Sequence, residues 1–551
     1  MKFIRSRFSF LLWLLMAACV PAASAWADHI KDMQTEAVEE NDVAWGHWGV
    51  KPHDYSQWRS HSNRLIPIYT FGIGLDGFTG SDSIYRDAKR LTELYGREPL
   101  NTVNPQAEYC DQTDIFRVQQ KAVKLGKKRI ILFIFDGMDW QTTWAAAIYS
   151  ARKVSYREGR GSGLFFQDYR GAKTDYGFMV TSPYCDDTKT DVNAQVVVEL
   201  GKKFGGYDVR RGSPTPWQPA KEPKYLIGES KEQPQAYTDS SCSASSMTAG
   251  FKSYNGSVNV DPTGKQMPTI AHELQQQGWA IGVVTSVPIA HATPAATYAH
   301  NVDRDDYQDI TRDLVGLPSI SHRQGPLSGM DVVIGTGWGD KRKEDKDKNQ
   351  GMNFVPGNGY ITADDLQKID VKHGGKYVVT QRTKGQSGKE VLAAAAKEAA
   401  FQRQRLFGFF GAKAGHLPFA TADGLYDCAN SNSGPAEIYK RRDLYENPVL
   451  ADMAVAALEV LGRDEEGFWL MIEAGDVDWA NHANNIDNSI GAVRSGDAAF
   501  RAVVDWIEAH GGWDNTALIL TAYHGHYMFL DKPEALLEDN DASATAPQAG
   551  K

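Results

Sequence analysis

The chain has 551 residues, of which 42% are hydrophobic and 23% are charged. This composition excludes a disordered or collagen-like polymer and predicts a globular protein with a large core. Fifty-nine basic and 69 acidic residues give a formal net charge of −10. Because binding to a phosphate backbone needs a basic surface, this balance argues against nucleic acid as a partner.

The first 25 residues have the pattern of a secretory signal peptide. Basic side chains precede an apolar run from Phe8 to Val20, and Ala23-Ser24-Ala25 offers small residues for cleavage. We therefore expect an exported protein, periplasmic or secreted, with no transmembrane segment. Lipoprotein cleavage and anchoring at Cys19 is an alternative. In an exported chain the cysteines at positions 110, 185, 242 and 428 permit disulfides without fixing a pairing.

Residues 26–125 are predicted to form an N-terminal extension. They are rich in aromatic and polar residues, and the segment from Ile84 to Tyr95 has a helical pattern. Residues 126–530 are predicted to form the main domain, with surface insertions at 205–235, 341–349 and 421–447. Residues 531–551 are predicted to be a disordered tail.

Within the main domain, short apolar runs alternate with helical segments. The runs are typical of strands that are buried on both faces, as in a parallel sheet. Segments 448–461 and 490–507 have helical periodicity. We therefore predict an α/β fold with three layers, in which helices cover both faces of a mostly parallel central sheet. The predicted strands are Ile130–Phe135, Ala280–Val284, Val332–Ile334, Phe468–Ile472 and Ala517–Leu520.

Several of the predicted strands lead into ionisable residues. Asp136 follows one strand, Glu473 ends another, and His524 and His526 follow the last. In open α/β sheets the ligand site lies outside the carboxyl ends of the strands. These side chains are therefore expected to converge, although each acid alone is equally well explained as a turn former.

Asp478 and His482 form a candidate metal-binding pair. They are four residues apart, so on a helical turn both face one side and can bind one ion. A carboxylate with an imidazole suits zinc, whereas Glu473, as a hard oxygen ligand, suits magnesium. A structural interpretation stays open, since Asp478 can cap a helix and His482 can make an ordinary hydrogen bond.

The segment 237–250 is rich in serine and other small residues. A low-complexity loop is one interpretation. The other places Ser240 at the start of a close-packed helix, whose free N–H groups and dipole attract phosphate. Serine is a poor nucleophile at neutral pH and no histidine general base is evident in this region, so a metal would have to stabilise its alkoxide.

Four motifs together resemble the alkaline phosphatase family. The similarity spans roughly residues 129 to 526 and leaves out the segment before 125. It implies an exported, metal-dependent phosphomonoesterase with two zinc ions and one magnesium ion. The motifs are Asp136-Gly137-Met138, Thr238-Asp239-Ser240, the segment Lys252 to Gly256, and the segment His291 to Ala295.

The resemblance implies roles for individual residues. Ser240 is expected to form a phosphoserine, Arg304 to bind two phosphate oxygens, and Trp479 to shape the phosphate pocket. Asp136 is expected to bridge a zinc and the magnesium, and His291 stands where the family has Asp or His. The full set of expected metal ligands is Asp136, His291, Thr293, Glu473, Asp478, His482, His524 and His526.

Two departures from the family pattern affect the zinc sites. Tyr523 stands where the family has an aspartate ligand next to His524, and a phenol is a poorer ligand than a carboxylate. The family's third histidine for the other zinc comes from a downstream segment, but here no histidine follows His526. We therefore expect His526 to replace it, either as a ligand or through a hydrogen bond to Asp478.

The leading hypothesis is hydrolysis of small-molecule phosphate monoesters through a phosphoserine, assisted by zinc and magnesium. The alternative is a phosphate- or metal-binding relative with impaired or lost turnover. A sulfatase or phosphodiesterase is disfavoured because the chain has no Cys-x-Pro-x-Arg segment. The sequence does not fix the oligomeric state, and a homodimer is among the options.

Overall fold

The computed structural model describes residues 29–232 and 234–537. The predicted signal peptide and Cys19 lie outside these residues, as do positions 538–551. In the described part no helix is long and apolar enough to cross a membrane.

The described residues form fifteen α-helices and eighteen strands. The strands are β1 (Gly46–Trp48), β2 (Ile66–Phe71), β3 (Cys110–Asp111), β4 (Arg129–Phe135), β5 (Thr174–Val180), β6 (Cys185–Asp186), β7 (Lys189–Asp191), β8 (Val196–Glu199), β9 (Lys203–Phe204), β10 (Ala280–Pro288), β11 (Val332–Thr336), β12 (Lys341–Arg342), β13 (Gly357–Asn358), β14 (Tyr377–Gln381), β15 (Arg405–Phe409), β16 (Phe468–Ala474), β17 (Thr516–Thr521) and β18 (Met528–Leu530). The helices are α1 (His29–Glu40), α2 (Ala88–Tyr95), α3 (Asp114–Lys124), α4 (Trp140–Ala151), α5 (Phe165–Asp168), α6 (Ser240–Ala249), α7 (Ile270–Gln276), α8 (Ala292–Ala295), α9 (Tyr307–Val315), α10 (Ala363–Ile369), α11 (Gly388–Gln402), α12 (Arg441–Tyr445), α13 (Leu450–Leu461), α14 (Asp476–His482) and α15 (Ile486–Ala509).

A ten-stranded sheet forms the centre of the molecule. Its strand order is β14-β15-β11-β10-β16-β4-β17-β2-β5-β3. Strands β14 to β17 in this order pair in parallel, and β2 runs antiparallel to both of its neighbours, β17 and β5. All five predicted strands lie in the parallel part. The prediction of a mostly parallel sheet is therefore confirmed.

Helices cover both faces of this sheet, as the three-layer prediction required. One group contains α4, α11, α13 and α15, and the other contains α3, α6, α7 and α8; within each group the helices contact one another. Helix α13 packs through one apolar face. Its residues recur at helical spacing and are all buried: Leu450, Met453, Ala454, Ala457 and Leu458.

One predicted helix differs from the structure. The pattern from Ile84 to Tyr95 is divided at Asp87, with a 3₁₀ turn before it and α2 after it. The side chain of Asp87 accepts hydrogen bonds from the backbone N–H groups of Lys89 and Arg90. It thus caps α2, and a capping residue has extended backbone angles that end the preceding turn.

The segment before residue 125 shares the core of the main domain. Strand β2 pairs with β17 in the central sheet, and α1 packs against α15. Ile66, Ile68 and Phe71 belong to the same hydrophobic cluster as the central strands. The predicted boundary at residue 125 therefore does not coincide with a break in the core.

Two smaller expectations concern the tail and the cysteines. Of the predicted tail, residues 531–537 are described, and Pro533–Leu536 forms a 3₁₀ turn with Leu536 buried. The cysteines at 110, 185, 242 and 428 are all buried and free of disulfides.

Candidate active site

The polar side chains of the site lie at the carboxyl ends of the central strands. Strands β10, β16, β4 and β17 are neighbours in that order. Asp136 follows β4 directly, Glu473 lies near the end of β16, and His524 and His526 follow β17. Helix α14 follows β16, and α8 follows β10. The expected convergence of these residues follows from the parallel order of the strands.

Four side chains form what we call the histidine cluster: His61, Asp478, His482 and His526. One donor atom from each lies within 4.8 Å of the others. Asp478 Oδ1 is 2.8 Å from His526 Nε2, 3.5 Å from His482 Nε2 and 3.8 Å from His61 Nε2. The Nε2 atoms of His61 and His482 are 3.1 Å apart. One carboxylate thus faces three imidazoles.

Backbone carbonyls orient two of these imidazoles. His61 Nδ1 lies 2.9 Å from the carbonyl oxygen of Thr238, and His482 Nδ1 lies 2.6 Å from that of Arg59. A carbonyl only accepts, so each Nδ1 carries the proton and each Nε2 carries a lone pair. Two lone pairs 3.1 Å apart repel unless a proton or a cation lies between them. Burial, followed by the neighbouring His482, lowers the pKa of His61 to about 3, so a metal cation fits better than a proton.

A second group, the serine-side cluster, contains Asp136, Asp478 and His524. His524 Nε2 lies 3.3 Å from Asp136 Oδ1, 3.8 Å from Asp478 Oδ1 and 3.2 Å from Ser240 Oγ. All four residues are buried, with at most 4% of their surface exposed. Asp478 therefore belongs to both clusters.

Ser240 is the first residue of α6. Asp239 caps this helix by accepting a hydrogen bond from the backbone N–H of Cys242 at 3.0 Å. The small side chains of the segment allow nine of the ten helix residues to be buried. The prediction of a close-packed helix that starts at Ser240 is thus confirmed, and the low-complexity loop is excluded.

Arg304 lies beside the start of this helix. Its Nη1 donates to Asp239 Oδ2 at 2.9 Å, so its guanidinium is held one residue from Ser240. Burial disfavours the charged forms of Asp239 and Arg304, but the attraction between the two charges outweighs this effect. Arg304 holds the pKa of the Asp239 carboxyl below its ordinary value, and Asp239 raises that of Arg304. The predicted role of Arg304 in binding two phosphate oxygens stays a prediction.

Glu473, Thr293 and Asp136 supply further buried oxygens. Glu473 Oε2 accepts a hydrogen bond from Thr285 Oγ1. Among the described residues, Glu473 Oε1, Thr293 Oγ1 and Asp136 Oδ1 are buried and make no well-formed hydrogen bond, although Thr293 is near enough to Glu473, and Ser240 to Asp136, to lower the pKa of each carboxyl. Burial raises the pKa of Glu473 to about 7. Buried oxygens without partners are costly, and a hard cation such as magnesium would satisfy them.

His291 and Trp479 lie together at the side of the site. His291 precedes α8, and its ring meets that of Trp479 edge-on at 5.7 Å. Trp479 also contacts His416, with ring centres 5.2 Å apart. Burial, followed by Arg304, lowers the pKa of His291 to about 4, so its imidazole is neutral. Neither residue belongs to the two clusters.

The carboxylates and imidazoles of the site respond differently to burial. Burial, followed by repulsion from Asp478, raises the pKa of Asp136 well above its ordinary value. Burial acts in the same direction on Asp478, but the surrounding imidazoles outweigh it and hold its pKa well below the usual range. Burial also lowers the pKa of His524 and His526. The site thus combines imidazoles with crowded, buried carboxyl groups, and a bound divalent cation would relieve the repulsion between those carboxylates.

Comparison with known proteins identifies the family. The sequence pattern described as alkaline phosphatase matches residues 208–541. The chain belongs to the alkaline phosphatase family. It is 27% identical to alkaline phosphatase 3 of Bacillus subtilis over 312 residues, which cover 56% of this chain and 54% of the relative. It is 28% identical to the alkaline phosphatase of Escherichia coli over 321 residues, which cover 56% of this chain and 62% of the relative.

Two solved alkaline phosphatases are also similar. The cold-active enzyme from Shewanella sp. is 21% identical, with 72% of this chain and 68% of that chain covered and a TM-score of 0.40. The Thermus thermophilus enzyme is 20% identical, with 72% of this chain and 60% of that chain covered and a TM-score of 0.43.

The family pattern does not account for Tyr523. It stands where the sequence comparison expected an aspartate ligand of the serine-side zinc, and its hydroxyl is close enough to Glu473, Asp136 and Thr293 to interact with all three. Its hydroxyl is 3.9 Å from the sulfur of Met471. Burial raises its pKa well above the ordinary value, and the carboxyl groups of Glu473 and Asp136 raise it further. Tyr523 is therefore a buried, neutral phenol.

His61 is the site residue that the sequence did not predict. It lies between β1 and β2, in the segment treated as an extension and outside the matched range of the family. Its ring stacks on that of His524 with centres 3.8 Å apart. No local pattern marked it, because its partners are more than 170 residues away along the chain.

Proposed function

We propose that the protein hydrolyses phosphate monoesters and forms a phosphoserine at Ser240. The observation that carries this proposal is the position of Ser240 Oγ, buried at the N-terminus of α6 and 3.2 Å from His524 Nε2 in the serine-side cluster. A hydroxyl there faces helix N–H groups that attract phosphate, and donors that suit a metal ion.

The donor types indicate which ions the site would hold. The histidine cluster, with one carboxylate and three imidazoles, suits zinc. Asp136, His524 and the Ser240 oxygen would hold a second zinc, with the Asp478 carboxylate nearby. Glu473, Thr293 and Asp136 offer only hard oxygens and would hold magnesium. His291, two residues before Thr293, would be a further ligand of this third ion.

The ions, when bound, would lower the pKa of the serine hydroxyl and of a water molecule and neutralise negative charge on the phosphate. Ser240 Oγ loses its proton to solvent and attacks phosphorus, the bond between phosphorus and the ester oxygen breaks, and the ester oxygen takes a proton from solvent and leaves as the alcohol. Arg304 binds two non-bridging oxygens, and the N–H groups at the start of α6 stabilise the same charge. Water then attacks the phosphoserine, the bond between phosphorus and Ser240 Oγ breaks, and phosphate leaves. Trp479 would border the leaving group.

A relative with impaired or lost turnover is the second candidate. Tyr523 favours it, because a neutral phenol stands where the family has a carboxylate ligand and therefore weakens the serine-side zinc. Hydrolysis of p-nitrophenyl phosphate, measured alongside zinc and magnesium content of the purified protein, separates the two candidates. Full metal content without turnover would favour the binding protein.

Trapping of the intermediate tests the proposed mechanism. Protein incubated with ³²P-labelled phosphate and quenched in acid should carry label on the peptide that contains Ser240. Ser240→Ala should lose both label and activity. Ser246→Ala, in the same helix but bonded to the carbonyl of Cys242, controls for folding and should keep both. Label on another residue, or an active Ser240→Ala, would refute the phosphoserine.

A further inference from the structure

A second group of histidines lies apart from the active site. His300, Asp313 and His322 each offer one donor atom, and these atoms lie within 4.8 Å of one another. His300 follows α8, Asp313 lies in α9, and His322 lies in the loop after it. None of the three belongs to the histidine cluster or to the serine-side cluster.

One ring nitrogen of His300, Nδ1, has a lone pair that is available to bind a ligand. Its Nε2 lies 2.9 Å from the carbonyl oxygen of Met267, so Nε2 carries the proton and Nδ1 carries the lone pair. This Nδ1 is buried, and no described residue donates a hydrogen bond to it. His300 is 6% exposed.

Asp313 and His322 complete the group. Asp313 Oδ1 lies 2.9 Å from His322 Nδ1, and Asp313 Oδ2 accepts from the backbone N–H of His300 at 3.1 Å. Ser319 holds the same carboxylate through its hydroxyl and binds the backbone N–H of His322. Asp313 is 1% exposed, whereas the side chain of His322 is 11% exposed and leaves a path for an ion.

We propose that His300, Asp313 and His322 bind a zinc ion, with a water molecule as the fourth ligand. Two imidazoles and a carboxylate suit zinc better than calcium or magnesium, which prefer sets of oxygen ligands. The ion would use the free lone pair of His300 and replace the proton shared by Asp313 and His322. The ion would link the segment at His300 to α9 and to the loop after α9. It would thereby fix the short segment between His300 and α9, which carries Arg304.

His272 lies beside this group but is not a ligand. Its ring stacks on that of His300 with centres 5.1 Å apart. His272 Nδ1 accepts a hydrogen bond from the backbone N–H of Thr269 at 3.1 Å, so its proton is on Nε2. A protonated nitrogen cannot bind a metal, and the capping contact with Thr269 holds Nδ1 away.

Zinc content measured on the full mature protein tests the proposal. After zinc saturation and desalting, His322→Asn should contain one zinc per chain less than the wild type. His373→Asn, at an exposed position, should contain as much as the wild type, and so should His272→Gln, which can still reach back as a capping-box residue. The difference is expected whether or not the protein turns over phosphate esters, so it does not depend on the proposed function.

Crystals of the wild-type protein give a second measurement that needs no variant. Anomalous difference maps recorded above and below the zinc edge should contain a peak between His300, Asp313 and His322. Equal zinc content in His322→Asn and His373→Asn would overturn the proposal. If His322→Asn does not fold, the absence of this peak in crystals grown with excess zinc would overturn it.

Discussion

The Nε2 atoms of His61 and His482 lie 3.1 Å apart, although 421 residues separate them in the chain. The contact forms because β2, just after His61, adds to the central sheet next to β17, while α14 begins just after β16. The loop that carries His61 is thereby brought over the ends of the central strands. A segment outside the range matched by the family thus contributes an imidazole to the histidine cluster.

Replacement of His61 should weaken the site at which it lies. In His61→Asn, removal of one of three imidazoles should lower zinc affinity at the histidine cluster by at least about tenfold and lower kcat in limiting zinc. Competition with a chromogenic chelator measures the affinity. Added zinc should restore part of the activity, as expected of a lost ligand.

His53→Asn provides the control for His61. His53 is an exposed histidine in the same segment, so its replacement should change neither zinc affinity nor kcat. If His61→Asn binds zinc as tightly as His53→Asn, the role of His61 is confined to packing on His524.

Arg304 is expected to bind phosphate in the substrate and in the product. Arg304→Ala should raise KM and the inhibition constant for phosphate, each by about 10- to 100-fold, because a charge-assisted hydrogen bond contributes about 1.5–3 kcal/mol. Arg312→Ala is the control, since Arg312 pairs with Asp309 and Asp365 away from the site. Unchanged phosphate inhibition in Arg304→Ala would remove Arg304 from the binding site.

Replacement of Tyr523 should repair the serine-side zinc site. We expect Tyr523→Asp to increase zinc occupancy or kcat, because an ionised carboxylate binds zinc more tightly than a neutral phenol. Tyr523→Phe is the matched control and should behave as the wild type if the hydroxyl is not a ligand. Zinc stoichiometry and kcat are measured in excess zinc. Equal occupancy with an equal or lower kcat in Tyr523→Asp would mean that tyrosine is adapted to its place.

The sequence predicted the parts of the protein that depend on local patterns. Apolar runs bounded by turn residues identified the central strands, and the ionisable residues that follow them marked the site. The small residues after Asp239 predicted a helix that begins at Ser240. Each of these features is encoded within about ten neighbouring residues.

The parts that the sequence did not predict depend on pairing between distant segments. The position of β2 in the sheet follows from contacts with β17, more than 400 residues away, and helps to bring His61 to Asp478. Such contacts leave no periodic signal in a single sequence.

Buried neutral histidines should make the protein sensitive to acid. Burial, followed by the neighbouring His322, lowers the pKa of His272 from 6.5 to about 4. Between these values the unfolded chain binds a proton at this residue that the folded chain does not. Stability therefore falls as the pH falls through this range, and His272 contributes a slope of up to about 1.4 kcal/mol per pH unit. The free energy of unfolding in urea at pH 6.5, 5.5 and 4.5 measures this dependence.

His272→Gln should lose less stability than the wild type over this range, whereas His373→Gln, at an exposed histidine, should follow the wild type. Parallel curves for all three proteins would show that His272 is protonated as readily in the folded protein as in the unfolded chain.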